Sequence, residues 1–541
     1  MGGVSSVGAG RGRLGILIVL TLLAGALRIA TLHLQSLEAD EAVTVTLLHR
    51  HLGSMLSTIP RSESTPPLYY LLAWSWVRVF GSGEVGVRLF SALAGTLLVP
   101  AAYALCAELR LRRAALLVAV LVAINPFMFF YAQEARAYSL VALLCTLSLL
   151  FCMRALRGRP SGATLAAWSA VSVAALSTHY FAVFPLAIEA ALLLGLWPRG
   201  GRPLAMLRGG RALSVAQGGR TLSVAQGGRA PSMPRDRRAL AAVGVLVLAG
   251  LALAPLAIEQ AGHDAYAPLL AASGSLAVRI IEIPKQLALG YKGPLEVPLS
   301  IAAAVLGTAG TLLGWRRSSE PERRAATIML VVGAFAVLAP IVLALAGLDL
   351  VITRNLIVAW VPLTIVVAAG VTADGAPKRW RLLAVAICAL SALVLVADLT
   401  DSNYQRDDWR GAARALGAAT EPRAIVVSGP AERPPSREAG VPVALKVYLP
   451  GVRTMPRAGI LVSELDLVAL AIRPRLAAPR LPRYSGRPPP GVIGLGRRDG
   501  ATFTVVRLKL PLPLLVKTTL APGLGGEPGQ VLVQVPSPRP R

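Results

Sequence analysis

Long apolar runs broken by short arginine-rich stretches set the pattern of this chain. The runs cover 14–34, 86–107, 114–131, 138–153, 163–178, 181–197, 239–258, 295–314, 325–347, 356–373 and 382–397. Many approach the roughly 20 apolar residues that carry a helix across a hydrocarbon core. The pattern predicts about 11 transmembrane helices. A further run, Pro67 to Phe80, is shorter. Its Tyr69, Tyr70, Trp74 and Trp76 suit the headgroup zone, so it is expected to lie along the interface.

The charges alternate in step. Arg11 and Arg13 precede the first run. Clusters at Arg110, Arg112 and Arg113, at Arg154, Arg157 and Arg159, at Arg316, Arg317, Arg323 and Arg324, and at Lys378, Arg379 and Arg381 follow every second crossing. The positive-inside bias then puts the N-terminus in the cytoplasm. The first run is long for a signal-peptide core and reads as a retained anchor. Residues 35–85 become an outer loop, 259–294 a second outer loop, and 198–238 a long basic cytoplasmic linker. That linker repeats a nine-residue unit, once from Arg211 and once from Arg220, and reads as a duplicated flexible segment.

From Asp398 the character changes. Proline and polar residues rise, and no further spanning run appears. Asn403 to Leu416 reads as an amphipathic helix. Ala424–Val427, Val441–Val447, Phe503–Leu508 and Gln530–Val535 read as short strands. The chain therefore divides into a membrane unit, 1–397, and a small α/β domain outside the membrane, 398–541.

Composition agrees. Of 541 residues 55% are hydrophobic, and the net charge of +27 sits largely in the loops between apolar runs. That charge is topology information with anionic-lipid contacts rather than a nucleic-acid footprint, and no nucleic-acid partner is expected. Richness in alanine, glycine and arginine suits a GC-rich bacterial gene and a bacterial plasma membrane. Cys106, Cys145, Cys152 and Cys388 lie inside apolar runs without disulfide or metal spacing. No Walker loop, zinc spacing or dinucleotide fingerprint is present, which disfavours a soluble nucleotide-sugar donor.

One cluster stands out. Glu38, Asp40 and Glu41 follow directly on the first apolar run, in a chain with only 28 acidic residues against 55 basic ones. A solvated helix cap would explain the cluster alone. Its company raises it: Glu134, Arg136, Tyr138, His179, Tyr180 and Arg354 are expected at the same outer face. Charged groups at a bilayer margin are costly enough to need partners or a function. His263 and Asp264 form a chance-prone pair in the second outer loop.

The order of motifs is more specific than any one of them. It runs Asp40-Glu41, Pro66-Pro67-Leu68-Tyr69-Tyr70, Arg88-Leu89-Phe90-Ser91-Ala92-Leu93, Asn125-Pro126, Tyr131-Ala132-Gln133-Glu134-Ala135-Arg136-Ala137-Tyr138, Thr178-His179-Tyr180-Phe181, Thr353-Arg354-Asn355-Leu356 and Asp408-Trp409-Arg410-Gly411-Ala412-Ala413. Over about residues 14–416 this resembles the bacterial glycosyltransferase family 39 proteins, relatives of the protein O-mannosyltransferases and of the aminoarabinose transferase that modifies lipid A. Two positions depart from the family pattern: Thr65, where His or Lys is usual, and Asn355, where Tyr is common.

The resemblance implies a GT-C fold and a mannosyltransferase-like enzyme. It would move sugar from a polyprenyl-phosphate donor to a protein, lipid or glycan acceptor, with Asp40 as catalytic carboxylate. Glu41 joins Asp40 as the catalytic pair, either holding it or binding sugar hydroxyls. Arg354 and Arg136 are the candidate donor phosphate-binding cations, since a guanidinium grips phosphate oxygens through two hydrogen bonds. Glu134, Tyr138, His179, Tyr180 and Tyr69 are candidate substrate-binding residues. No metal ligands are assigned; a divalent cation at the carboxylates is allowed for but not required. Trp409 and Arg410 are expected to dock the outer domain. The rival classes are a flippase for lipid-linked sugars, which would place charges near the bilayer midplane in paired half-repeats, and an inactive structural relative.

Overall fold

The computed structural model describes residues 4–157, 161–196, 237–262, 270, 273–428, 441–471, 491–524 and 528–536. The linker repeat from Arg211 to Gly228, and His263 with Asp264, lie outside them.

Eight described helices are long and apolar enough to span: Arg11–Ala30, Glu84–Glu108, Tyr138–Leu156, Arg237–Ala261, Glu296–Arg317, Glu320–Leu345, Thr353–Val371 and Arg381–Thr400. Ala114–Ile124 and Pro126–Ala132 form a further pair bent by 57°, and Gly162–Thr178 and Tyr180–Leu193 are shorter apolar helices. These fall on the eleven apolar runs. The chain is a polytopic helical membrane protein. In chain order its first helices are α1 (Val4–Ala30), α2 (Ala39–Leu48), α3 (Leu52–Ser62), α4 (Leu68–Phe80) and α5 (Glu84–Glu108). Then come α6 (Ala114–Ile124), α7 (Pro126–Ala132), α8 (Tyr138–Leu156), α9 (Gly162–Thr178), α10 (Val183–Leu193) and α11 (Arg237–Ala261). The set closes with α12 (Leu276–Leu289), α13 (Glu296–Arg317), α14 (Glu320–Leu345), α15 (Trp360–Val371), α16 (Arg381–Thr400), α17 (Trp409–Leu416) and α18 (Val441–Tyr448).

The α6–α7 bend has a local cause. Asn125 precedes Pro126 and is held extended, so the first helix stops there. Its side chain then accepts from Met128 N and caps α7, with proline at the first helical position. Glycines bring α13 and α15 into backbone contact: a Cβ on Gly314 would lie 2.1 Å from the Gly370 carbonyl oxygen. In lipid, where apolar burial gives little drive to association, such close approach is what holds helices together.

Two loop expectations need correction. Residues 35–66 are not an open loop but carry α2 and α3, and the second outer loop contains α12. The start of α2 is written in its acids. Glu38 caps Glu41 N–H, and the Glu41 side chain reaches back to Glu38 N–H at 3.0 Å, a reciprocal capping box.

The C-terminal unit is α/β, as expected, with a seven-stranded sheet in the order β2-β7-β1-β3-β5-β4 and β6 beside β7. The strands are β1 (Arg423–Ser428), β2 (Val452–Thr454), β3 (Ile460–Leu470), β4 (Ile493–Asp499), β5 (Phe503–Val516), β6 (Leu520–Pro522) and β7 (Pro528–Gln534). β1 runs parallel to β3 and antiparallel to β7. Val441–Tyr448 is a helix, correcting the strand read there, and the preceding amphipathic helix is only Trp409–Leu416. Ala444 and Leu445 are fully buried with Trp409, Ala412 and Leu416 in one apolar cluster. Ala42 of α2 belongs to that same cluster, so the outer unit packs directly on the helix that carries Asp40.

Candidate active site

The site begins with a buried carboxylate. Glu41 has no exposed surface. It accepts Arg88 Nε at 2.7 Å and Nη2 at 2.6 Å, Arg406 Nη1 at 2.7 Å and Ala135 N at 2.9 Å. Arg88, buried in α5, also donates to the carbonyls of Leu32, Gln35 and Ser36. One carboxylate thus ties the α1–α2 connection to α5, to the α7–α8 turn and to the segment entering the outer unit. Burial works to raise its pKa, but Arg88 and Arg406 outweigh it and hold the carboxyl down at about 2. The expectation that Glu41 reacts or binds sugar is corrected, because its lone pairs are committed within the protein. Holding α2 is what its geometry does.

Its neighbour points elsewhere. The Asp40 side chain is 40% exposed and pairs with Arg354 Nη1 at 2.5 Å. Arg354 comes from the short 3-10 turn Thr353–Ala359 that opens the span ending at Val371. Its guanidinium carbon lies 5.8 Å from the centre of the Tyr138 ring. Tyr138 in turn contacts Tyr131 at 4.7 Å and His179 at 5.7 Å between ring centres. The Tyr131 hydroxyl meets that of Tyr291.

Glu134 stands in the same recess. It is 2% exposed, and its Oε2 has no hydrogen-bond partner among the described residues. Burial, with the nearby charges of Glu38 and Glu41, pushes its carboxyl up to about 8 against the pull of Arg406 and Arg354. Burial thus favours its protonated form, a donor rather than an anion. His179 is also neutral, pushed down to about 3 by burial and then by Arg136 and Arg354. Its Nδ1 accepts from Phe181 N at 3.2 Å, which leaves the proton on Nε2.

Three further expectations meet different surroundings. Arg136 pairs with Glu63 at 2.9 Å and donates to Thr44 Oγ1 at 3.3 Å, while the charge of Asp40 also bears on it. It flanks Asp40 opposite a partner that sequence reasoning missed. Tyr69 is fully buried, with its ring against those of Tyr70 and Phe90. The Tyr180 hydroxyl donates to Gln260 at 2.7 Å, at the junction with α11. Thr65, one of the departures from the family pattern, is buried against the Tyr70 hydroxyl, which donates to Glu63. Asn355, the other, is buried and donates to Leu350 O. Asp40, Arg354, Arg136, Glu134, Tyr138 and His179 therefore gather at one end of the bundle. Arg88, Arg406 and Glu63 are the missed members, each apparent only as a polar residue in a recognised or polar stretch.

Docking by Trp409 and Arg410 is seen. Trp409 N donates to Ser36 Oγ at 3.0 Å, and Arg410 reaches His33 O at 2.9 Å and Glu84 at 3.3 Å. Among the described residues no group of three or more His, Cys, Asp or Glu is arranged to hold a metal ion.

Residues 64–215 match the profile of the family described as dolichyl-phosphate-mannose-protein mannosyltransferase. That range holds Arg88, Asn125, the Gln133–Tyr138 turn and His179. No curated protein matches the chain. Among solved structures, ArnT from Cupriavidus metallidurans is 16% identical over 75% of this chain and 70% of its own, with a TM-score of 0.41. AglB, the oligosaccharyltransferase of Archaeoglobus fulgidus solved with an inhibitory peptide and dolichol-phosphate, is 14% identical over 74% of this chain and 57% of its own, with a TM-score of 0.44. The arabinofuranosyltransferase AftD from Mycobacteria is 14% identical over 91% and 40%, with a TM-score of 0.44. Over residues 64–215, which hold the motifs packed around Asp40, the chain is similar to that mannosyltransferase family.

Proposed function

We propose that the chain transfers a sugar, mannose or a relative of it, from a polyprenyl-phosphate donor to an acceptor hydroxyl at the outer face of a bacterial plasma membrane. The observation that carries this reading is the Asp40–Arg354 pair. It joins an accessible carboxylate to a guanidinium at a helix end, beside a second guanidinium on Arg136 and two buried groups that hold protons, Glu134 and His179.

The chemistry follows from the charges. An acceptor hydroxyl is a weak nucleophile, and a carboxylate within hydrogen-bond reach takes its proton as the oxygen attacks the anomeric carbon. Asp40 is that base. The new bond forms between the acceptor oxygen and the anomeric carbon. The bond from that carbon to the phosphate oxygen breaks, and polyprenyl phosphate leaves with the electron pair. A single displacement inverts the anomeric centre. The leaving phosphate needs cations rather than an acid, and guanidinium donors aimed at developing charge supply them. Arg354 releases Asp40 to meet the phosphate, and Arg136 supports it from the Glu63 side. Protonated Glu134 and the Nε2–H of His179 donate hydrogen bonds to sugar or phosphate oxygens, and the Tyr138 ring forms the wall between them.

The orientation belongs to the same proposal. The arginine clusters 110–113, 154–157 and 316–317 lie at the helix ends away from Asp40, which supports a cytoplasmic N-terminus and an extracytoplasmic C-terminal unit. The test is transfer by membranes that contain the full chain, supplied with labelled undecaprenyl-phosphate mannose and, in parallel, with polyprenyl-phosphate pentoses and other hexoses. Label moving from one donor to an endogenous acceptor, above membranes lacking the chain, is the expected result. Label remaining on every donor refutes the reading.

A further inference from the structure

The helix that carries Asp40 is held from two sides. On the membrane side, Glu41 is gripped by Arg88 and by the Ala135 amide. On the other side, the outer unit and the segment entering it supply a separate set of contacts. Ser36 Oγ donates to Asp407 O at 2.6 Å, and Leu37 N donates to the Tyr448 hydroxyl at 2.6 Å. Ala42, one residue past Glu41, is buried in the outer unit's own apolar cluster. Into the middle of this seam comes Arg406. Its Nη1 donates to Glu41 Oε2 at 2.7 Å, its Nε lies 3.9 Å from Glu38 Oε2, and its guanidinium sits 4.2 Å from the centre of the Phe130 ring. Only 5% of the side chain is exposed.

Adjacent residues of a helix turn in fixed relation, about 100° apart. Glu41 faces the buried node and Asp40 faces Arg354. Any shift of α2 that Glu41 resists is a shift that would carry Asp40 off Arg354. Arg406 is therefore placed to act on Asp40 through Glu41 without touching it. It sits at residue 406, after the last span and just before Trp409, so it reaches Glu41 only when the outer unit is seated.

We infer that Arg406 is a positioning residue that makes sugar transfer depend on the docked outer unit, a second hand on the helix bearing Asp40. The inference rests on the reading of Asp40 as the base. Loss of Arg406 leaves Glu41 with Arg88 alone and frees the outer side of α2, so the base is present but misplaced. A small displacement of a reacting group costs on the order of a hundredfold in rate while leaving ground-state binding untouched.

The experiment uses the full chain in membranes or nanodiscs, with two readouts. The first is amide hydrogen exchange across Ala39–Leu48. The second is kcat and KM on whichever polyprenyl-phosphate sugar the wild type turns over. In Arg406→Met, exchange over Ala39–Leu48 is expected to quicken while Glu84–Glu108 and Tyr138–Leu156 keep wild-type protection. Its kcat is expected to fall at least about tenfold with the donor KM unchanged. Arg406→Lys keeps the charge without the planar fork and is expected to lose only several-fold. Arg410→Ala, which removes rim contacts at His33 and Glu84 but leaves the Arg406–Glu41 pair and the Ala42 packing in place, is expected to keep wild-type kcat. Wild-type protection of Ala39–Leu48 in Arg406→Met overturns the inference, whatever the donor. So does a wild-type kcat with α2 loosened. Should Arg406→Met not accumulate, Arg406→Lys decides: reduced kcat at unchanged KM supports the inference, and wild-type kcat overturns it. Asp40→Asn is run alongside and should lose transfer with α2 fully protected. Transfer retained there defeats the base assignment separately, because the exchange result does not depend on it.

Discussion

Removing Arg88 would leave the most deeply buried carboxylate of the site short of its main partner. Arg88→Met keeps the length and apolar stem of the side chain but deletes the paired contacts at 2.6 and 2.7 Å to Glu41. It also strips donors from three carbonyls, those of Leu32, Gln35 and Ser36. Breaking a buried pair from one side costs about 3–5 kcal/mol, because the remaining charge stays buried without compensation. Orphaned carbonyls add about 1 kcal/mol each where water cannot reach them. Arg406 still neutralises Glu41, so the pair's share falls to the lower end, about 3 kcal/mol, and a total loss of about 6 kcal/mol is expected. The companion Glu41→Gln removes the charge that Arg88 serves. The double variant should therefore be more stable than Arg88→Met alone, a coupling that a double-mutant cycle isolates. Equilibrium unfolding of the purified chain in mixed micelles gives the numbers. The pH dependence adds a check on sign. The Glu41 carboxyl is held at about 2, below its ordinary 4.5, so its contribution is present in full above 4.5 and is lost as pH falls toward 2. Glu41→Gln should lack that loss. An Arg88→Met chain within about 1 kcal/mol of wild type, or no more stable when Glu41→Gln is added, would refute the buried node as the anchor of α2.

Two other perturbations probe different parts of the account. The Glu134 carboxyl is raised to about 8 from 4.5, so the fold binds more protons than the unfolded chain between those values and loses stability as pH rises through that window. Glu134→Gln should flatten this slope in pH-dependent unfolding, and an unchanged slope would show that Glu134 is ionised in the fold. In the membrane unit, Gly314→Ile drives a side chain into the Gly370 backbone, where a Cβ alone would come within 2.1 Å. Forcing such an overlap costs about 1–3 kcal/mol or more. Gly307→Ile on the same helix meets nothing within 4 Å and should unfold like the wild type.

How much of this was legible in the sequence depends on the range of the interactions. The spanning segments were, because apolar length is a local property and lipid admits few alternatives to a helix. The α6–α7 bend was not: 114–131 reads as one continuous run, although Asn125-Pro126 is where it breaks. The stretch 35–66 was read as loop because α2 and α3 are short and interrupted by His49–His51. Their helical state rests on the Glu38–Glu41 capping box and on burial against the outer unit. Val441–Val447 alternates like a strand, yet α18 forms because Ala444 and Leu445 are both buried against α17. β3 was hidden by Glu464 and Asp466, charges that a buried strand would seem to forbid. In the sheet Asp466 pairs with fully buried Arg423 at 2.9 Å, and Arg507 of the neighbouring strand joins both acids. Asp40 and Arg354 could be named from motif order, although 314 residues separate them. Which acid would be accessible and which sealed could not, since Asp40 and Glu41 differ only in the neighbours that the fold brings to each. Glu41 depends on Arg406, 365 residues away.

Asp40 itself is the position to measure. Wild-type, Asp40→Asn and Asp40→Glu chains, matched for folded protein in membranes, would be compared for transfer from the polyprenyl-phosphate sugar that the wild type uses. Asparagine keeps the size and a hydrogen bond to Arg354 but cannot take a proton, and general-base loss costs about 10²–10⁴-fold. The account predicts a loss of that order in Asp40→Asn, with partial activity in Asp40→Glu and intact donor binding in both. Transfer by Asp40→Asn at the wild-type rate would contradict it.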